Sequence, residues 1–372
     1  MANRTQSKRI TLSGFILAAS VVFIYTFYRP KIVGKNLDID IGWKTKIYQE
    51  NRQEKRIVSK NNEPTQRSKE SLLLRRIPQV ICIGVKKCGT GALKSFLGKH
   101  PKVKLPTEAE PHFFDNNATF EKGVEYYRSL MPLSRKDEIT MEKTPKYFVT
   151  EWVPERIHKF YASQSIRPKF ILTLCNPIDR FYSEFVHVYT GKTYNITRKI
   201  KKNPTVAELV HELTENVSST LNEIVRSNNL SSNHKHVAFT QFIRNNYEAS
   251  LLTNGFYMFH LSRWLRYFSK DQLLIVNGEE IIKRPWNVIE KIQDFLGVDK
   301  IITKKDFFYN NEKGFYCVHS CLGDNKGRTR SLSLEKRSPF PLLTLDDRIT
   351  LRKFYEPLND ALYKFLHRTF YW

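Results

Sequence analysis

Residues 79–98, running Gln79-Val-Ile-Cys-Ile-Gly-Val-Lys-Lys-Cys-Gly-Thr-Gly-Ala-Leu-Lys-Ser-Phe-Leu-Gly98, leave few folds open to this chain. A β-branched apolar run from Val80 to Val85 breaks into a Lys/Gly turn, and apolar residues then recur at helical spacing as Ala92, Leu93, Phe96 and Leu97. That pattern predicts a strand, an anion-binding turn and a helix. The backbone N–H groups of Cys88, Gly89, Thr90 and Gly91 would open the helix towards one oxyanion, with Lys86 and Lys87 adding full charge. Thr90 stands where a Walker A loop needs lysine, so a nucleotide kinase or ATPase is disfavoured. A donor whose leaving group is a phosphate, used without a metal, becomes attractive. An ordinary glycine-rich strand-to-helix connection is the other reading of the stretch taken alone.

The rest of the chain repeats the alternation. Met141 to Phe148 reads as a short strand ending in a polar Lys-Thr-Pro turn. Lys169 to Leu174 reads as a fully apolar strand that runs through Cys175-Asn176-Pro177 into a helix carrying Arg180 and Ser183. Glu108 to Asp115 alternates acid, histidine and aromatic residues, and Pro111 biases Glu110 towards an extended backbone, which fits a segment lining a cleft. Residues 190–235 are polar and basic with a helix over 206–226, and they read as a surface insertion. Phe256 to Phe268 reads as an amphipathic helix whose aromatic stripe is core, and Leu273 to Asn277 as a buried strand. A helix opening at Pro285 stops at Gly297. Such alternation predicts an α/β fold, a central parallel sheet with helices on both faces.

Charge and the N-terminus bear on location. A formal charge of +24, from 61 Lys+Arg against 37 Asp+Glu, predicts attraction to a polyanion. Residues 10–28 are uncharged and apolar over 19 positions, preceded by Arg4, Lys8 and Arg9 and without a small-residue cleavage site after them. They read as a signal anchor after a cytosolic tail at 1–9, with a cleaved signal peptide as the runner-up. Residues 29–75 then read as a polar stem, and a folded domain is expected over 76–372. Sequons at Asn117, Asn195, Asn216 and Asn229 support a luminal domain, which removes nucleic acid as a partner and makes a sulfated or carboxylated glycan the natural polyanion. Cys317 and Cys321 are spaced to close a tight disulfide loop in an oxidising lumen, and Cys82 reads as a buried small apolar residue. Cys88 and Cys175 both fall just past strands, in one cleft, placed to face each other and pair.

With these motifs in order, the chain resembles the heparan sulfate glucosamine 3-O-sulfotransferases, Golgi type II membrane enzymes with a P-loop-like sulfotransferase fold. The resemblance rests on Gly84-Val-Lys-Lys-x-Gly-Thr, Glu110-x-His-Phe-Phe-Asp115, Glu142-Lys-Thr-Pro-x-Tyr-Phe148, Val153-Pro-Glu-Arg-Ile157, Asn310-x-x-Lys-Gly-Phe-Tyr-Cys317, Lys326-Gly-Arg328 and Arg368-Thr-Phe-x-Trp372. It implies 3′-phosphoadenosine 5′-phosphosulfate as donor, no required metal, and heparan sulfate or a heparin-like glycosaminoglycan as acceptor. It also implies that Lys86 to Gly91 cradle the 5′-phosphosulfate, that Cys175 and Ser183 border the 3′-phosphate, and that Phe315, Tyr316 and the Lys326 to Arg330 loop (Lys326, Gly327, Arg328, Thr329, Arg330) close over the nucleotide. Glu110 corresponds to the catalytic base, with His112 beside it and Lys87 and Lys143 meeting developing charge. Asp115, Thr144, Pro145, Lys146, His187 and Trp264 complete the acceptor side.

Several positions depart from the family pattern. Cys175 stands where the family has an arginine on the 3′-phosphate, a loss of about 1.5–3 kcal/mol in donor binding unless another cation, for which Arg180 is a candidate, substitutes. Cys88 replaces a glycine, Gly91 an arginine and His187 a glutamine, while Gly323 stands at a position that can carry histidine. Two further readings therefore stand beside 3-O-transfer: a weakened heparan-sulfate-binding protein, and a sulfotransferase of N- or 6-O-regiospecificity.

Overall fold

The computed structural model describes residues 30–33, 36–39, 72–107, 110–190, 205–311, 314–318 and 341–372. The apolar stretch at 10–28, most of the stem, Asn195, Cys321 and the Lys326–Arg330 loop lie outside the described residues. Among the described residues no helix is long and apolar enough to cross a membrane.

Eleven strands are described. β1 (Pro30–Val33) and β2 (Asn36–Ile39) form an antiparallel ladder within the expected stem, and β3 (Leu74–Arg75) starts the main body. β4 (Val80–Gly84), β5 (Val103–Lys104), β6 (Leu133–Ser134), β7 (Ile139–Lys143), β8 (Lys169–Leu174) and β9 (Leu273–Asn277) follow, and a hairpin of β10 (Phe307–Asn310) and β11 (Phe315–Val318) comes last. β3 pairs with β6, so ordered structure begins slightly before the expected boundary at Arg76. The central sheet has the order β5-β7-β4-β8-β9 and every pairing in it is parallel.

Side chains alternate across this sheet with a period of two. Ile81 and Ile83 of β4 join Phe170, Leu172 and Leu174 of β8 in one core. Val80 and Cys82 face the other way, with Met141, Ile171 and Val276. Both faces are thus covered, as the continuous apolar strands predict, and each fully buried aliphatic side chain contributes about 1.5–3 kcal/mol. Burial pushes the Cys82 thiol up to about 12, consistent with a packed apolar role.

The Val206–Arg226 helix corrects the reading of 190–235 as a surface insertion. It begins in a capping box, Thr205 with Glu208, and buries Leu209, Val210, Leu213, Val217 and Leu221 in the main core. Its partner there is the long C-terminal helix Leu345–Leu366. The solvent face of the helix is charged, which is what gave the segment its polar composition.

The strand order sets the ligand position. The chain leaves β4 towards β5 and β7 on one side and then crosses to β8 on the other, so the crevice lies beyond the carboxyl ends of β4 and β8. The turn after β4, the segment around Glu110 and the loop after β8 all meet there.

Candidate active site

After β4 the chain enters the Thr90–Leu97 helix through Gly89, whose φ of 84° lies in the left-handed region that glycine adopts without steric cost. The first helical bond runs from Leu93 N–H to the Gly89 carbonyl at 3.0 Å. The N–H groups of Thr90, Gly91 and Ala92 have no acceptor one turn back, and they aim out of the helix end with its positive partial charge. Cys88 does not join them: its N–H donates to the Val85 carbonyl at 3.1 Å, inside the turn. Lys87 also takes a left-handed conformation, φ 76°, unusual for a side chain of its size. Lys86 Nζ lies 3.2 Å from Glu184.

The Glu110 segment is held beside this turn by a run of alternating charges. Lys143, the last residue of β7, places Nζ 2.5 Å from Glu110 Oε1. His112 approaches Glu110 Oε2 at 3.3 Å through Nε2 and Asp115 Oδ2 at 2.9 Å through Nδ1, and Lys146 closes the array 3.6 Å from Asp115. Burial opposes ionisation of Glu110, but hydrogen bonds from His112 and Lys143, with their charges, outweigh it and hold the carboxyl down at about 2. Hydrogen bonding to Asp115 and then to Glu110 lifts His112 to about 9. At neutral pH Glu110 and His112 are therefore both charged. Its middle residue, His112, has φ 47°, a second left-handed non-glycine at the site.

A buried polar network fixes the loop from behind. Glu142 of β7 is fully buried and accepts from Tyr127 Oη and Thr144 Oγ1, both at 2.8 Å. Burial pushes its carboxyl up to about 7, against the hydrogen bonds from Thr144, Tyr127 and Tyr147. Tyr147 Oη in turn accepts the N–H groups of Phe113 at 3.0 Å and Phe114 at 3.3 Å. The backbone immediately after His112 is thus pinned to a buried carboxyl, and Phe113 stacks on Tyr127 at 4.4 Å.

Several sequence-based assignments are corrected. Cys88 and Cys175 are nearly inaccessible and are joined by a disulfide, S–S 2.07 Å, so neither side chain contacts a nucleotide. That pairing itself was expected. Arg180 does not replace the missing arginine: it is 1% exposed and committed to Glu184 and the Leu251 carbonyl. Trp264 is a core residue, 1% exposed, donating Nε1 to the Phe148 carbonyl at 3.1 Å and packing edge-on against Phe170. Thr144 is fully buried because its hydroxyl serves Glu142, and the Asp115 side chain faces His112 and Lys146 rather than solvent.

Ser183 and His187 lie on the Pro177–Thr190 helix after β8, His187 exposed. Phe315 and Tyr316 lie on β11, which packs against the Thr90–Leu97 and Gly278–Lys283 helices, with Tyr316 edge-on to Trp286 at 5.2 Å. Cys317 is disulfide-bonded, and its expected partner Cys321 lies outside the described residues.

Three contributors were not assigned from sequence. Lys94, on the phosphate-loop helix, has its pKa lowered by burial and then by the charge of Lys143, with Glu110 opposing, which places it within electrostatic reach of the array. Glu142 and Glu184 are buried carboxylates whose roles depend on long-range partners. Glu142 had one signal, its place inside a motif. Pro145 and Lys146 also border a cavity of about 400 Å³ that opens beside Lys86.

Known proteins are similar to this chain over most of its length. A sulfotransferase-domain family profile matches residues 77–340. Heparan sulfate glucosamine 3-O-sulfotransferase 3B1 of Mus musculus is 35% identical over 298 residues, covering 80% of this chain and 65% of that protein. Heparan sulfate glucosamine 3-O-sulfotransferase 6 of Homo sapiens is 34% identical over 299 residues, covering 80% of this chain and 74% of that protein. The chain spans just under two thirds of the length of the 3B1 relative, and the same share of the mouse 3A1 protein. A solved sulfotransferase from Alicyclobacillus acidocaldarius superposes with a TM-score of 0.49 at 18% identity, over 78% of this chain and 96% of that one. By the family profile over most of its length and by its similarity to these relatives, the chain belongs to the heparan sulfate glucosamine 3-O-sulfotransferase family.

Proposed function

We propose that this protein transfers a sulfuryl group from 3′-phosphoadenosine 5′-phosphosulfate to the 3-hydroxyl of glucosamine units in heparan sulfate. The observation that carries the reading is the Glu110 carboxylate, held between Lys143 and His112 at the carboxyl edge of the sheet and within electrostatic reach of the phosphate-loop helix.

The loop suits an anionic donor: its free N–H groups, the left-handed Gly89 and the open space around Gly91, where an added Cβ meets nothing within 4 Å, form an uncluttered cationic cradle. Lys87, the N–H groups of Gly89, Thr90 and Gly91, Ser183, Phe315 and Tyr316 would hold the donor. When bound, the donor supplies the sulfuryl group and a phosphate leaving group. Glu110 takes the proton of the attacking sugar hydroxyl, a role contributing about 10²–10⁴-fold. A proton arriving on Glu110 discharges the carboxylate that Lys143 neutralises, and the ammonium is then available to charge building on the leaving side, together with Lys87. Asp115 and Lys146 keep His112 oriented throughout.

The same reading assigns the domain to the lumen of the Golgi, tethered by residues 10–28 as a single-pass type II protein. The Cys88–Cys175 disulfide supports an oxidising compartment. Asn117, Asn216 and Asn229 are all exposed, which suits them as glycan acceptors. Protease protection of the domain in intact microsomes and a mobility shift on deglycosylation test this assignment, and full digestion without membrane lysis would refute it.

A binding-only protein is the second reading, favoured by Cys175 being spent on a disulfide and Arg180 on Glu184. One experiment decides among all of these. Transfer of labelled sulfate to heparan sulfate, followed by disaccharide analysis, is expected to give 3-O-sulfated glucosamine with wild type and almost none with Glu110→Gln. N- or 6-O-sulfated product would redirect the assignment, and no transfer by wild type would favour the binder.

A further inference from the structure

Two residues in the left-handed region turn the chain back after the Leu345–Leu366 helix. His367, with φ 50°, caps that helix through its N–H to the Tyr363 carbonyl, and Tyr371 follows with φ 58°. Neither is glycine, so the contacts around them must hold them there. Arg368 donates to the Ile275 carbonyl of β9 at 3.2 Å and lies over the Phe370 ring at 4.6 Å, and Phe370 stacks on Trp372 at 4.6 Å. Tyr371 is 92% exposed, whereas Trp372 turns inwards and meets the buried Tyr257 edge-on at 5.7 Å. We infer that Trp372 is a positioning residue for the donor: by bracing Tyr257 it holds the phosphate loop against the end of β8. This inference rests on the reading of that loop as the donor cradle.

Tyr257 is where the three parts meet. It opens the Tyr257–Trp264 helix, donates Oη to the Cys175 carbonyl at 2.8 Å, and places the same oxygen 3.7 Å from Cys88 Sγ. Burial raises its phenol above the usual range, so the hydroxyl remains a donor at any working pH. One hydroxyl thus touches both halves of the Cys88–Cys175 bridge. On its other side the loop rests on the Gly278–Lys283 helix, where a Cβ on Gly89 would lie 3.4 Å from Ile281 Cγ2. The N–H groups of Thr90, Gly91 and Ala92 follow directly, and their aim depends on where Cys88 and Gly89 stand. A displacement of about 1 Å in a binding group can cost about 10²-fold. Without Trp372 the Tyr257 ring loses the edge contact that fixes its tilt, and the loop loses one of its two supports. The Arg368-Thr-Phe-x-Trp372 motif, which has no part in the Glu110 array, acquires a role in this way.

Two readouts test this, one with a nucleotide and one without. Calorimetric binding of 3′-phosphoadenosine 5′-phosphate and initial rates are measured at a temperature where circular dichroism shows each variant folded. Trp372→Ala is expected to raise the nucleotide Kd and the donor KM about tenfold. Heparan sulfate Kd and kcat at saturating donor should stay near wild type, because bound donor restores the loop. Trp372→Phe should recover most of the loss, and Trp372→Leu takes the place of Trp372→Ala if that variant does not fold. Because Trp372 acts through Tyr257, adding Tyr257→Phe to Trp372→Ala should weaken binding no further than the weaker single variant. The second readout is reduction of the native protein by dithiothreitol, which closes to its cyclic disulfide as the bridge gains two electrons and two protons. Mass mapping should find Cys88 and Cys175 reduced faster in Trp372→Ala than in wild type. Tyr371→Asn, a change at the exposed neighbour to a residue that tolerates left-handed backbone, should alter neither readout. Additive effects, equal losses for nucleotide and heparan sulfate, or an unchanged reduction rate would overturn the role of Trp372. A wild type that binds no nucleotide would instead remove the donor reading, and the reduction rate would then decide the brace by itself.

Discussion

Glu110 combines two demands that oppose each other. A general base works best with a pKa near the operating pH, yet the cations beside Glu110 hold it at about 2. In the proposed reaction those cations would also offset charge at the reacting atoms, exchanging a strong base for a charged, preorganised site. Lys143→Ala should therefore release Glu110 upwards, and the acid limb of the rate–pH profile should move to higher pH while the maximal rate falls. A limb that stays in place would show that Lys143 does not set the Glu110 pKa. The two ends of the pH range affect stability in opposite senses. The Glu110 contribution is complete above its ordinary pKa of 4.5 and is lost as pH falls through about 2, whereas that of His112 is complete below 6.5 and is lost as pH rises through about 9. Both side chains are partly exposed, so solvent screens each contribution. Thermal unfolding followed across this range should show His112→Gln removing the alkaline dependence and weakening the acid one, because His112 also holds Glu110 down.

Among the elements, the phosphate loop is tied to the end of β8 rather than merely packed against it. The Cys88–Cys175 disulfide spans 87 residues of sequence, and Tyr257 Oη donates to the Cys175 carbonyl at 2.8 Å. The double variant Cys88→Ser, Cys175→Ser should lower unfolding free energy in urea by about 2–5 kcal/mol, the usual range for a native cross-link. It should also raise the donor KM, because the loop loses its anchor at the crevice. Packing around the bridge is tight: a Cβ on Gly278 would lie 2.9 Å from Cys175 Cβ and 3.1 Å from the Cys88 carbonyl oxygen. Gly278→Ala should cost about 1–3 kcal/mol through overpacking. On the other side of the site, Tyr147→Phe leaves the Phe113 and Phe114 N–H groups without their acceptor, at about 1–3 kcal/mol for each group left unsatisfied. Activity should fall further than stability alone explains, since the lost acceptor also positions His112. A variant with full activity at a temperature where it is folded would show that this anchor is dispensable.

For the whole molecule, the charge of +24 is out of proportion to what folding requires. Self-repulsion of that size is tolerated where a polyanion is the working partner, because the field steers a flexible acidic chain to the cleft. Heparan sulfate affinity is accordingly expected to fall steeply as salt rises, and the donor KM much less, since the donor is small and grasped at short range. Surface resonance at increasing ionic strength checks the first and initial rates at saturating acceptor the second. Parallel slopes for the two ligands would place the excess charge at the nucleotide cradle instead.

The strand-turn-helix stretch, the apolar strands at 80–84, 169–174 and 273–277, and the helices at 206–226 and 285–296 were all legible in the sequence, because each depends on periodicity and end signals within a few residues of itself. The phosphate loop and the Glu110, His112 and Lys143 grouping were legible too, as ordered motifs at strand ends. What lay beyond it were the partners of buried polar groups. Arg180 and Trp264 look available in one dimension, yet Glu184 and the Phe148 carbonyl occupy them in three. Thr144 is likewise taken by Glu142, and the cavity beside Lys86, which Arg244 also lines, is assembled from segments about 100 residues apart. A sequence therefore determined which segments become strands and helices and which residues stand at their ends. Only the packed structure decided which of those polar groups stay open to a ligand, since burying one demands a partner whose identity depends on distant chain.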